Sequence, residues 1–106
     1  MIHGIVIRGT TPKHDFDLPY SKDLIRDLRI TYGQNKKALF TKTINECEFE
    51  EGKVSVRLAQ EETYLLNPNK KLFIEIRIKL FNDEIVSTED PIILRVLDTM
   101  DEEVMD

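Results

Sequence analysis

Lys71-Leu72-Phe73-Ile74-Glu75-Ile76-Arg77-Ile78-Lys79-Leu80-Phe81 is the stretch that decides the fold. Leu72, Ile74, Ile76, Ile78 and Leu80 alternate with Glu75, Arg77 and Lys79. In a strand successive side chains point to opposite faces, so the five aliphatics share one face. A helix would scatter them around its circumference. At about 3.3 Å per residue the run spans roughly 36 Å, long for a small domain, which predicts a bulge or bend. Phe73 and Phe81 fall on the opposite face.

Working outward, the same period of two recurs in shorter runs. Val54, Val56 and Leu58 alternate with Lys53, Ser55 and Arg57, and Leu28, Ile30 and Tyr32 with Asp27, Arg29 and Thr31. Phe16 and Leu18 alternate with Asp15 and Asp17, and Cys47 and Phe49 with three glutamates. Gly4–Arg8 and Lys37–Thr43 read as further strands. In Ile92–Leu97 both faces are partly apolar. Gly33-Gln34-Asn35-Lys36 and Glu51-Gly52 supply hairpin turns. Pro12, Pro19 and Pro91 mark strand edges, where a missing N–H is tolerated. Gln60–Leu66 lacks alternation and holds good helix formers, which predicts one or two helical turns. Ser21 is a candidate N-cap for a further single turn. Seven or eight short strands with frequent turns predict an all-β chain, a sandwich or a barrel.

Length and composition set the remaining bounds. A chain of 106 residues is expected to be one domain. Its 41% hydrophobic content is too high for disorder. The single cysteine, Cys47, excludes an intramolecular disulfide and any cysteine-based metal cluster. That fits a reducing cytoplasm at synthesis. No signal-peptide pattern opens the chain, and no apolar run approaches the roughly 20 residues of a membrane helix. The net charge is −5, and five acids without a base lie in 98–106: Asp98, Asp101, Glu102, Glu103 and Asp106. The remaining 15 acids balance the 15 lysines and arginines, so the body is neutral. We therefore expect a sandwich domain over 1–97 and an acidic tail over 98–106. Without a basic surface, nucleic acid is not an expected partner.

No motif carries chemistry. His3 and His14, the only histidines, could pair with Asp15 or Asp17 as a metal ligand or base. The simpler reading is a solvated strand face. Cys47, in phase with Phe49, reads as a small buried hydrophobe. Neither a nucleophile elbow nor a phosphate-cradling glycine cluster is present. The expectation is no catalytic residue, no cofactor and no metal.

Three segments nevertheless share a likeness. Arg8-Gly9-Thr10-Thr11-Pro12-Lys13-His14-Asp15-Phe16-Asp17-Leu18-Pro19 resembles the R-G-[DT]-T-P-x-[FH]-x-[FL] opening of small phage and prophage domains from Firmicutes. Leu24–Asn35 and Val54–Thr63, where a strand runs into a Q-E-[DE]-T turn, resemble the same group. The best-described members are the N-terminal domains of phage upper baseplate proteins. Those proteins continue into linker and host-contact regions, whereas this chain spans one domain. The resemblance implies an immunoglobulin-like antiparallel sandwich and a structural, non-enzymatic role in a tail or baseplate. Phage structural subunits, or further copies of the chain, are then the expected partners, and the virion a possible destination. The alternative is a small acidic protein that inhibits a host protein such as a nuclease, using its tail to occupy a basic site.

For contact surfaces, the sequence offers Phe73, Phe81, Ile93 and Leu97 as an apolar outer face. Asp98, Asp101, Glu102 and Glu103 form a secondary, salt-sensitive contact. The opening region Gly4–Leu18 reads as an exposed edge. The competing expectation is that a loop or the Gln60–Leu66 helix covers the apolar residues.

Overall fold

The alternating run forms the central strand of the larger of two sheets. In a computed structural model, which describes residues 2–88, 90–101 and 104–105, it becomes β7, Leu72–Leu80. The other strands are β1 (Gly4–Ile7), β2 (Lys13–Asp17), β3 (Ile25–Gln34), β4 (Lys37–Thr43), β5 (Cys47–Glu50), β6 (Lys53–Arg57), β8 (Ile85–Ser87) and β9 (Ile92–Leu97). One helix, α1 (Gln60–Tyr64), links β6 to β7, and single 3-10 turns cover Lys22–Leu24 and Ile44–Glu46. Ser21 precedes the first of these turns without a side-chain capping bond.

The larger sheet runs β1-β9-β7-β3-β4, with β8 pairing β7 beside β9, and the smaller runs β2-β6-β5. Pairings are antiparallel except β1 with β9. Six strands facing three, with the chain crossing between sheets after β1, β2, β4 and β6, is the strand order of an immunoglobulin-like sandwich. The fold is all-β as expected, with nine strands among the described residues. The ninth, β8, is three residues long, too short to show alternation. The expected irregularity is not in β7. It lies in its partner β3, where the register shifts between Ile25 and Asp27.

The inward faces meet in one core. Leu28, Ile30 and Tyr32 of β3 lie opposite Ile78, Ile76 and Ile74 of β7. Val54, Val56, Phe16 and Leu58 close over them from the smaller sheet side. Each such aliphatic contributes about 1.5–3 kcal/mol on burial. No disulfide or tryptophan assists. The fully buried Tyr32 fills the centre, stacking on Phe40 at 4.8 Å between ring centroids.

The β1–β2 connection and α1 touch each other. The Thr63 hydroxyl on α1 donates to the Thr10 carbonyl (2.8 Å) and accepts the Gly9 N–H (3.0 Å). Arg8 donates to the Tyr64 carbonyl at 3.1 Å. Gly9 has φ +78, and a Cβ there would sit 2.6 Å from the Tyr64 ring. Only glycine fits that corner. The motif residues thus hold the β1–β2 connection against α1.

Candidate interaction face

The outer face of the larger sheet is apolar along its β1–β9–β7 side. Parallel pairing sets Ile5 beside Arg95 and Ile7 beside Leu97. Antiparallel pairing sets Phe73 directly opposite Ile93. The inward partners Val6, Leu94, Val96, Leu72 and Ile74 are buried, so the alternate residues point outward. Ile5, Ile7 and Phe73 are 56%, 44% and 38% exposed. Ile93 and Leu97 are half-buried among them. Charges interrupt this face: Arg95 stands between Ile93 and Leu97 on β9, and the exposed Lys71 and Glu75 flank Phe73 on its side of the chain.

Phe81 does not join the group. It lies eight residues along β7 from Phe73, roughly 26 Å away in an extended strand. There it sits in the turn beside Leu24, whose carbonyl accepts the Phe81 N–H at 3.1 Å. The helix expected as a possible cover packs elsewhere, against Gly9 and Thr10. Ile5 and Ile7 were not singled out from sequence, although the signal existed. In Ile5-Val6-Ile7, as in Ile92–Leu97, both faces of a strand are apolar, and a two-layer sandwich can bury only one.

The acidic residues are placed differently from a free docking segment. Arg8 Nη1 donates to Asp98 Oδ1 at 2.6 Å, and that hydrogen bond holds the Asp98 carboxyl below its usual range. The Asp101 carbonyl accepts from the Thr99 hydroxyl at 3.2 Å. Beyond it, Gln60 of α1 exchanges two hydrogen bonds with the Met105 backbone, at 2.8 and 2.7 Å. Glu102 and Glu103 lie outside the described residues.

The residues weighed for chemistry do not converge. His14 points inward, in phase with Phe16 and away from Asp15 and Asp17, so it does not share their solvated face. It stacks on Tyr32, whose hydroxyl lies 2.8 Å from His14 Nδ1. His3 Nδ1 instead accepts the Ile93 N–H. Cys47 is half-buried, and its Sγ donates to the Thr43 carbonyl. Burial, then the nearby Glu46, pushes its thiol up to about 11. Among the described residues no three metal-ligating side chains cluster, and no helix is long and apolar enough to cross a membrane.

Burial lowers the His14 pKa from its ordinary 6.5, against an opposing pull from Asp15. The unfolded chain therefore binds this proton more readily than the folded one. The His14 contribution to stability should be intact above about pH 6.5 and decline as pH falls from there toward the folded pKa. Urea titrations at pH 7.5 and 5.5 should show a lower midpoint at 5.5. In His14→Gln most of that difference should vanish. An unchanged difference would place its origin elsewhere.

No known family matches the chain, and no curated protein does. Among solved structures, it is similar to the extracellular domain of mouse leukocyte-associated immunoglobulin-like receptor 1, described as a strand-swapped dimer. Identity is 10% over 89% of this chain and 86% of that one, with a TM-score of 0.49. A second structure of that receptor's Ig-like domain gives 10% identity over 88% and 85%, with a TM-score of 0.47. The fold assignment rests on the strand order and pairing, not on these likenesses.

Proposed function

We propose that this domain is a non-enzymatic assembly module of a phage or prophage particle, docking through the outer face of its larger sheet. The observation that carries docking is the outward set of Ile5, Ile7, Ile93, Leu97 and Phe73 on adjacent strands, with Ile7 beside Leu97 and Phe73 beside Ile93. Contiguous exposed apolar surface of this kind marks contact sites, whereas single exposed residues do not. The particle role is supported by the likeness of Arg8–Pro19, Leu24–Asn35 and Val54–Thr63 to upper baseplate domains. Those residues serve as strands and as the α1 corner, as suits a scaffold. The acidic-inhibitor alternative lacks a comparable observation, since Asp98 is already engaged by Arg8.

The test is a charge placed in the patch. The double variant Ile5→Glu/Phe73→Glu changes exposed positions and should leave the fold intact. Sedimentation velocity over a concentration series would follow self-association. Co-purification with phage tail and baseplate subunits would follow other contacts. Whichever association the native chain shows should weaken at least about tenfold in the variant. A strict monomer that joins none of those subunits would overturn the proposal.

A further inference from the structure

The smaller sheet is one strand short on a side that the larger sheet overhangs. Among the described residues β2 pairs only with β6. The Pro12 carbonyl accepts from Leu58, and the Leu18 N–H donates to Gly52. His14 and Phe16 lie opposite Val56 and Val54 between these bonds. Alternation then turns the backbone N–H and C=O of Lys13, Asp15 and Asp17 away from β6, toward an open edge. This edge has defined ends. Arg57 caps the Thr11 carbonyl at 2.8 Å, and Pro19 has no N–H to offer. Between them lies room for about five residues of strand, roughly 16 Å.

A groove of about 590 Å³ runs along this edge. His14 and Phe16 of β2 form one wall, and Ile74, Ile76, Ile92 and Leu94 of β7 and β9 form the other. The contact of His14 with Tyr32 places β2 over β3. β9 and β1 therefore extend beyond it with no strand of the smaller sheet opposite. That overhang selects the occupant. Two copies pairing β2 to β2 about a twofold axis would drive their overhanging β9 and β1 strands into each other. A single extended segment can slide beneath the overhang. Its side chains would alternate, one set against Ile92 and Leu94, the other flanking Asp15 and Asp17. Lys13 is already within 4.0 Å of Glu48, so the row beside the gap is net acidic. The chain's own acidic tail is a poor match for that row, and a basic segment a good one.

We propose that the β2 edge and its groove accept one extended segment of a partner polypeptide, apolar and basic at alternate positions. It would complete the smaller sheet as a fourth strand by backbone pairing. This site is separate from the outer apolar face and does not depend on it.

The probe is a blocked heptapeptide, Lys-Val-Lys-Ile-Lys-Val-Thr, titrated into the isotopically labelled full chain and followed by NMR. Saturable shifts are expected at the Lys13, Asp15 and Asp17 amides and the Ile74, Ile76 and Ile92 methyls. Residues paired through backbone bonds share a face, so the peptide lysines beside Asp15 and Asp17 carry the N–H groups that meet β2. N-methylation at the lysines should weaken binding at least about tenfold, and at the valines and isoleucine by less than about twofold. Asp15→Lys/Asp17→Lys should weaken the lysine peptide about tenfold and favour its glutamate counterpart. The proposal fails if millimolar peptide produces no saturable shift at β2. It also fails if the shifts fall on Ile5, Ile7 and Phe73, or if both methylation patterns weaken binding equally. The N-methylation arms leave the protein untouched, so a misfolded variant cannot decide the outcome.

Discussion

Replacing Glu62 with Ala should destabilise the domain by about 3 kcal/mol. Lys42 lies on the inward side of β4, its side chain only 8% exposed, with its ammonium 2.6 Å from Glu62 and 3.4 Å from Glu46. An ammonium held out of water needs its carboxylates, and removing one leaves a charge that water cannot fully reach. Glu62 has a second task, accepting the Ala59 N–H at 2.7 Å at the start of α1. The loss therefore combines an under-compensated charge with a lost helix cap. Lys42→Met should behave in the opposite way. It removes the buried charge and keeps most of the volume, so the change should lie within about 1 kcal/mol of zero, of either sign. Urea titration of both variants is the check. Equal losses in the two would show that side-chain packing, and not the stranded charge, sets the cost.

The second large effect is expected at Ile76. It is 4% exposed, lies opposite Ile30 in the central pairing, and lines the groove beside β2. Ile76→Ala should cost about 2–5 kcal/mol, against a total stability of about 5–15 kcal/mol typical of domains. Ile76→Val should cost about 0.5–1.5 kcal/mol. The backbone bonds of Ile76 to Thr88 do not depend on the side chain, so the strand itself should persist. A loss below half a kcal/mol in Ile76→Ala would mean that the groove closes over the missing atoms or that Ile76 is not a core residue.

The faces of the strands were legible because alternation is a local property. Leu72 to Leu80 could be assigned to the core residue by residue, since a slip of one position would expose all five aliphatics at once. His14 was misread for want of the same parity count: it shares phase with Phe16, yet was grouped with its charged neighbours Asp15 and Asp17. Lys42 also defied the pattern, because a lysine on an inward position makes sense only once Glu46 and Glu62, 4 and 20 residues away in sequence, are seen beside it.

The sequence by itself determined that this chain is all-β, where eight of its nine described strands run, and which side of the alternating strands is apolar. Only the tertiary structure decided which strands are neighbours. The parallel pairing of β1 with β9 brings together residues some 90 positions apart, and it alone sets Ile5 and Ile7 next to Leu97. The same partition of six strands against three leaves the β2 edge open beneath β9. Periodicity records how a side chain points relative to its own backbone. It carries no term for the partner across a hydrogen-bonded ladder, and that choice is made by the joint burial of many distant faces in one core.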